Sequence, residues 1–189
     1  MAETQINKYS ARGRLGRMDV DMIDISATLT GDGTSGDVMF VTTEIPNAVS
    51  VTGGRALLHS AVIVLTDHAT DASGTGSSAT GNFNLIFTSD SSVLGTVSDA
   101  LGTRTVDGDG DSDPEIDNWT RAKLDGTCGI VPVTNMLDVG ALAIGNASNC
   151  GIVLKAEAGS KSVYVWGATS STNDYNGATI TLRLGIIKD

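Results

Sequence analysis

From Cys150 to Asp189 the chain leaves room for little except extended structure. Ile152-Val153-Leu154-Lys155 is a short apolar run that Gly159-Ser160 breaks. Val163-Tyr164-Val165-Trp166 follows, rich in the β-branched and aromatic residues that suit a pleated, half-buried surface. A polar stretch from Ser170 to Gly177 turns the chain, and Thr179-Ile180-Thr181-Leu182-Arg183-Leu184 then alternates polar and apolar. A period of two places one set of side chains on a buried face and the other in solvent.

The same grammar runs through the rest. Val20–Leu29 mostly alternates, and a Gly-rich turn follows it. Val38–Ile45 is a second strand, closed by Pro46, which has no N–H for a ladder. Arg55–Leu65 is a third, and its continuous stretch Ala61-Val62-Ile63-Val64-Leu65 predicts burial on both faces. Phe83–Phe87, Gly129–Val133 and Met136–Val139 are shorter candidates. The only helical signal is a turn or two over Pro114–Lys123, with Asp113 as N-cap. About eight strands with frequent turns predict an all-β chain, an antiparallel β-sandwich of jelly-roll-like form. Residues 20–189 are expected to form this single domain. An aromatic content of 4% and 23 glycines agree with small side chains and many turns.

Charge divides the chain. The formal net charge is -10, which disfavours nucleic acid as a partner. Yet Lys8, Arg12, Arg14 and Arg17, 4 of the 12 basic residues, fall in the first seventeen positions, where Glu3 is the only acid. Residues 1–19 therefore read as an extended basic N-terminal arm, reaching on the order of 60 Å if fully stretched. No run of about eighteen apolar residues predicts a membrane helix, and the opening residues lack the apolar core of a secretory signal. That predicts a chain made in the cytosol. There Cys128 and Cys150, each heading the tetrapeptide Cys-Gly-Ile-Val, are expected as free thiols. A disulfide is the alternative if the two tetrapeptides are neighbouring strands in register.

One segment has the composition of a cation site. Asp107-Gly-Asp109-Gly-Asp111-Ser-Asp113-Pro-Glu115 alternates carboxylates with small residues, and calcium wants six to eight oxygens. Asp107, Asp109 and Asp111 match the first three positions of a calcium loop. Ser112 stands where that loop has Gly, and Asn118 where it has Glu. Calcium binding and a solvated acidic loop are thus the two expectations, and no other cofactor is expected. His59 lies inside a strand pattern. Asp67, His68 and Asp71 are too sparse for a zinc site. Gly74-Thr-Gly-Ser-Ser lacks the Lys of a phosphate loop, and no Gly-x-Ser-x-Gly elbow occurs. Nothing in the sequence points to an enzyme. Trp119 and Trp166 are large anchors for a core or an interface.

Several pieces together resemble a family of tailed-bacteriophage virion structural proteins of the capsid decoration or cement type. They are Gly36–Phe40, Glu44–Ala48, Gly53-Gly54 with Leu57–Ser60, Leu94–Thr96, Gly151–Ala156, Ser162–Val165 and Thr181–Gly185. The likeness covers roughly Ile25–Asp189. The arm before Val20 and the acidic run Asp107–Glu115 depart from it. The resemblance implies a jelly-roll homotrimer on the outer capsid surface of a virion. Its partner would be the major capsid protein, with no part for nucleic acid or membrane. In that setting Lys8, Tyr9, Arg12, Arg14 and Arg17 would bind acidic capsid patches. A receptor- or glycan-binding tail or fibre module is the alternative.

Overall fold

The computed structural model describes residues 20–28, 32–33, 38–66, 82–91, 126–134, 136–138, 142–169, 173–174 and 178–188. All regular structure among them is β. The strands are β1 (Val20–Thr28), β2 (Asp32–Gly33), β3 (Val38–Ile45), β4 (Arg55–Thr66), β5 (Phe83–Thr88) and β6 (Thr127–Val133). There follow β7 (Leu137–Asp138), β8 (Leu142–Lys155), β9 (Val163–Thr169), β10 (Asn173–Asp174) and β11 (Thr179–Lys188).

Two sheets carry the fold. One is five-stranded in the order β1-β11-β4-β8-β7, the other four-stranded in the order β3-β9-β5-β6, and β2 pairs β10 separately. Every pairing is antiparallel. The pairings nest. The first long strand meets the last, β1 with β11, and inside that bracket lie β3 with β9, β4 with β8 and β5 with β6. Two further pairings, β11 with β4 and β5 with β9, knit these ribbons into sheets.

The period of two becomes a core. In β11, Ile180, Leu182, Leu184 and Ile186 are buried, while Arg183 is exposed and Thr181 half-buried. Ala56, Leu58, Ala61, Ile63 and Leu65 of β4 join them from the same sheet. Phe40, Leu85, Phe87, Val131, Val133, Val163 and Val165 come from the other, all in one apolar cluster. Each large aliphatic side chain so buried contributes on the order of 2 kcal/mol of transfer free energy. The ring of Phe40 lies on the backbone of Gly167, where any Cβ would overlap it.

Some details depart from expectation. Val62 and Val64 are half-buried and opposite in facing to Ala61, Ile63 and Leu65, so β4 buries one face rather than two. Of the strand expected at Met136–Val139, the described residues place Leu137–Asp138 in β7 and Met136 just before it, and Val139 lies outside them. β8 starts at Leu142, well before the expected Ile152. Cys128 and Cys150 are free thiols, both half-buried. Their strands lie in different sheets, so the repeated tetrapeptide does not mark a register pair. Burial pushes both thiols up from the ordinary range, which makes them poor nucleophiles. The turn expected over Pro114–Lys123 lies outside the described residues.

Substitutions at adjacent positions of β11 test the facing. Leu182→Ala should cost about 2–5 kcal/mol in denaturant unfolding, and Thr181→Ala less than about 1 kcal/mol. Equal costs at the two positions would contradict the assignment of faces.

Candidate interaction surface

Register fixes what the outer face of the five-stranded sheet presents, because directly opposed residues of an antiparallel pair share a face. At one end Val20, Ile187, Leu57 and Val153 form a row across β1, β11, β4 and β8. Val20 and Val153 are 40% and 53% exposed, and Met22, one step along β1, is 54% exposed. Met22 lies across from Gly185, where an added Cβ would meet Val20 Cγ1 at 3.2 Å and Met22 Sδ at 3.5 Å. The missing side chain lets these two fold over the backbone. At the other end Val64, Ile144 and Leu137 are aligned across β4, β8 and β7, with Leu142 nearby on β8. Leu137 is 65% exposed.

A polar band separates the two apolar ends. Arg183 forks Asp24 across β11 and β1, Nε to Oδ1 and Nη2 to Oδ2, both at 2.9 Å. Ser26 and Thr181 hydroxyls meet at 3.1 Å in the next outward row. The Arg183 hydrogen bond draws the Asp24 carboxyl below its ordinary range. Both partners are exposed, so the pair adds little to stability. It joins the edge strand β1 to β11 by side chains and sets a polar mark between the apolar ends. These rows leave apolar area in solvent that burial against another surface would stabilise.

The other candidates fall elsewhere. Lys8, Tyr9, Arg12, Arg14 and Arg17 lie outside the described residues, as do Asp107, Asp109, Asp111, Asp113, Glu115 and Trp119. His68 and the Gly74–Ser78 loop are also outside. Trp166 is 1% exposed. It faces away from Val165, opposite Ile86, and both are buried outside the main core cluster. His59 is the extra residue of a bulge in β4, between Leu58 and Ser60. Asn146-Ala147-Ser148, a glycosylation triplet by sequence, lies within β8. Among the described residues no three His, Cys, Asp or Glu gather as metal ligands. The apolar outer rows themselves escaped the sequence. They appear only when residues from four separate strands are put in register. The one available signal was a run of apolar residues at consecutive positions in β4.

In comparisons with known proteins, the chain matches no family model and no curated protein.

The fork predicts a pH signature. A carboxyl lowered on folding contributes stability above its unfolded pKa, and that contribution is lost as pH falls through the folded value. Carboxyl NMR titration should find Asp24 below its ordinary range, and Arg183→Met should return it there. An Asp24 titration unchanged by Arg183→Met would dismiss the fork.

Proposed function

We propose that this chain is a non-enzymatic virion structural protein, a decoration or cement protein that stabilises a phage capsid from its outer surface. It is a jelly-roll sandwich in this proposal. Numbering the eight longer strands in order, the pairs 1–8, 2–7, 3–6 and 4–5 support that topology. They describe one long antiparallel ribbon, folded at its middle and rolled until 8 meets 3 and 7 meets 4. Jelly rolls recur in viral capsid and lectin domains, but fold alone does not assign function.

The observation that carries the proposal is the outer face of the five-stranded sheet. Exposed apolar rows at Val20, Met22 and Val153, and at Leu137, Leu142 and Ile144, supply area to bury against neighbours. Copies associate through this face, as a homotrimer. The basic arm, with Lys8, Tyr9, Arg12, Arg14 and Arg17, then lies on acidic patches of the major capsid protein and sets orientation and salt-dependent affinity. Local three-fold positions of a capsid suit a three-fold partner. The acidic body faces solvent.

Two variants separate the two contacts. Deleting residues 2–18 should leave a folded oligomer, seen by sedimentation, that no longer decorates particles in cryo-EM. Val153→Asp should keep the fold and melting temperature but shift sedimentation toward monomer. Undiminished attachment without the arm would refute its role in capsid binding. A few copies per particle, where decoration needs hundreds, would favour a receptor- or glycan-binding tail module.

A further inference from the structure

The pole of the sheets nearest Arg55 holds a cleft with an unusual charge arrangement. Residues 46–54, between β3 and β4, and residues 156–162, between β8 and β9, are laced together by backbone hydrogen bonds. These run from Val49 N to Lys161 O at 3.2 Å, from Gly53 N to Ser160 O at 2.8 Å, and from Ala156 N to Gly54 O at 3.1 Å. Gly53 and Gly159, at φ 68° and 93°, make the turns that only glycine adopts without strain. Beside them, the Ser89 N–H donates to Gly126 O at 2.8 Å. Two adjoining hollows open here, of about 260 and about 800 Å³, which share Ser89, Gly126 and Lys155.

Arg55 lines the smaller hollow and stands directly opposite Lys155 in the β4–β8 ladder. Like charges in that relation repel and cost stability. The chain has 22 acids against 12 bases, so carboxylates are not scarce. Even so, neither Arg55 nor Lys155 forms an ion pair among the described residues, whose pairs are Arg183–Asp24 and Lys188–Asp21. Glu157 is the only carboxylate lining either hollow among the described residues, and it is bound to neither cation. The rest of the lining is small glycine and alanine residues, the Thr52, Ser89 and Thr127 hydroxyl residues, and Cys128 and Val153, the last also part of the outer apolar row. Two facing cations over an open floor of mostly small residues make a receptor for paired anionic oxygens. A guanidinium forks one carboxylate, and an ammonium beside it takes a second.

We propose that this cleft binds an acidic peptide in extended form, through carboxylates at alternate positions. Alternate residues of an extended peptide share a side and lie about 7 Å apart. Opposed residues on neighbouring strands have Cβ atoms about 5 Å apart, and long side chains span the difference. The chain's own sequence contains such a peptide, Asp107–Glu115, with an acid at every second position. The occupant proposed is such a peptide on another chain, and occupancy by the chain's own run is the alternative that the test reads. This inference does not depend on the capsid assignment.

The full-length ¹⁵N-labelled chain, in EDTA to exclude calcium, is titrated with a synthetic peptide of residues 107–115. A control peptide carries Asn and Gln in place of the acids. Saturable shifts are expected at the amides of Arg55, Ser89, Gly126 and Lys155, absent with the control and weakened by salt. The double variant Arg55→Gln/Lys155→Gln should lose at least about tenfold in affinity. A second form of the chain has Asp107, Asp109, Asp111 and Asp113 changed to Asn and Glu115 to Gln. If it binds the free peptide about tenfold more tightly than the native chain, the occupant is the chain's own run. Equal affinity assigns the occupant to another chain. The proposal is overturned by no saturable binding to either form, by equal binding of the uncharged control, or by an acidic oligosaccharide binding where the peptide does not.

Discussion

The last strand of this protein is an interior strand. β11 sits between β1 and β4, so each of its edges is taken by a strand from the amino-terminal half of the sequence. Its buried residues Ile180, Leu182, Leu184 and Ile186 are a large part of the five-stranded sheet's contribution to the core. The five-stranded sheet cannot close without it, and β1 would then have no partner in that sheet. Pairing the two ends of a chain carries a loop-closure cost before apolar burial offsets it, which makes folding slow and cooperative. The nested pairings spread that cost. Once β5 meets β6, each later pair closes over a ribbon already formed.

Much of this architecture was legible in the sequence where burial and period agree. Val38–Ile45 has the expected bounds, and Thr179–Leu184 alternates as its burial does. The first half of β8 was not legible, for a physical reason. Its inward positions are Ala143 and Gly145, while Leu142 and Ile144 point outward. A Cβ at Gly145 would lie 2.7 Å from Val133 Cγ1 and 2.9 Å from Met136 Cγ, so close approach of the neighbouring segment demands the smallest residue there. A strand with small residues inside and large ones outside does not announce itself by hydropathy. In β4 the opposite error arises, since outward Val62 and Val64 mimic a fully buried strand.

The surfaces were less legible than the core, because each is assembled by register. The row Val20, Ile187, Leu57 and Val153 takes one residue from each of four strands. Arg55 and Lys155 are far apart in sequence and adjacent only in the ladder. No local motif encodes either arrangement. Both hang on the same sheet, and a slip of one residue in β11 or β8 would turn their side chains to the other face. The bulge at His59 and the positive-φ residues Asn149 and Gly151 let β4 and β8 change register once and then hold it. The Asp24–Arg183 fork spans the β1–β11 pairing at the level of side chains.

Native-state hydrogen exchange addresses the interior placement of β11 most directly. The amides of Leu182 and Leu184 should be among the slowest in the protein, opening only with global unfolding and sharing its dependence on denaturant. Fast, independent exchange along Thr179–Lys188, with β4 and β8 still protected, would show that β11 is an appendage rather than an interior strand of the sheet.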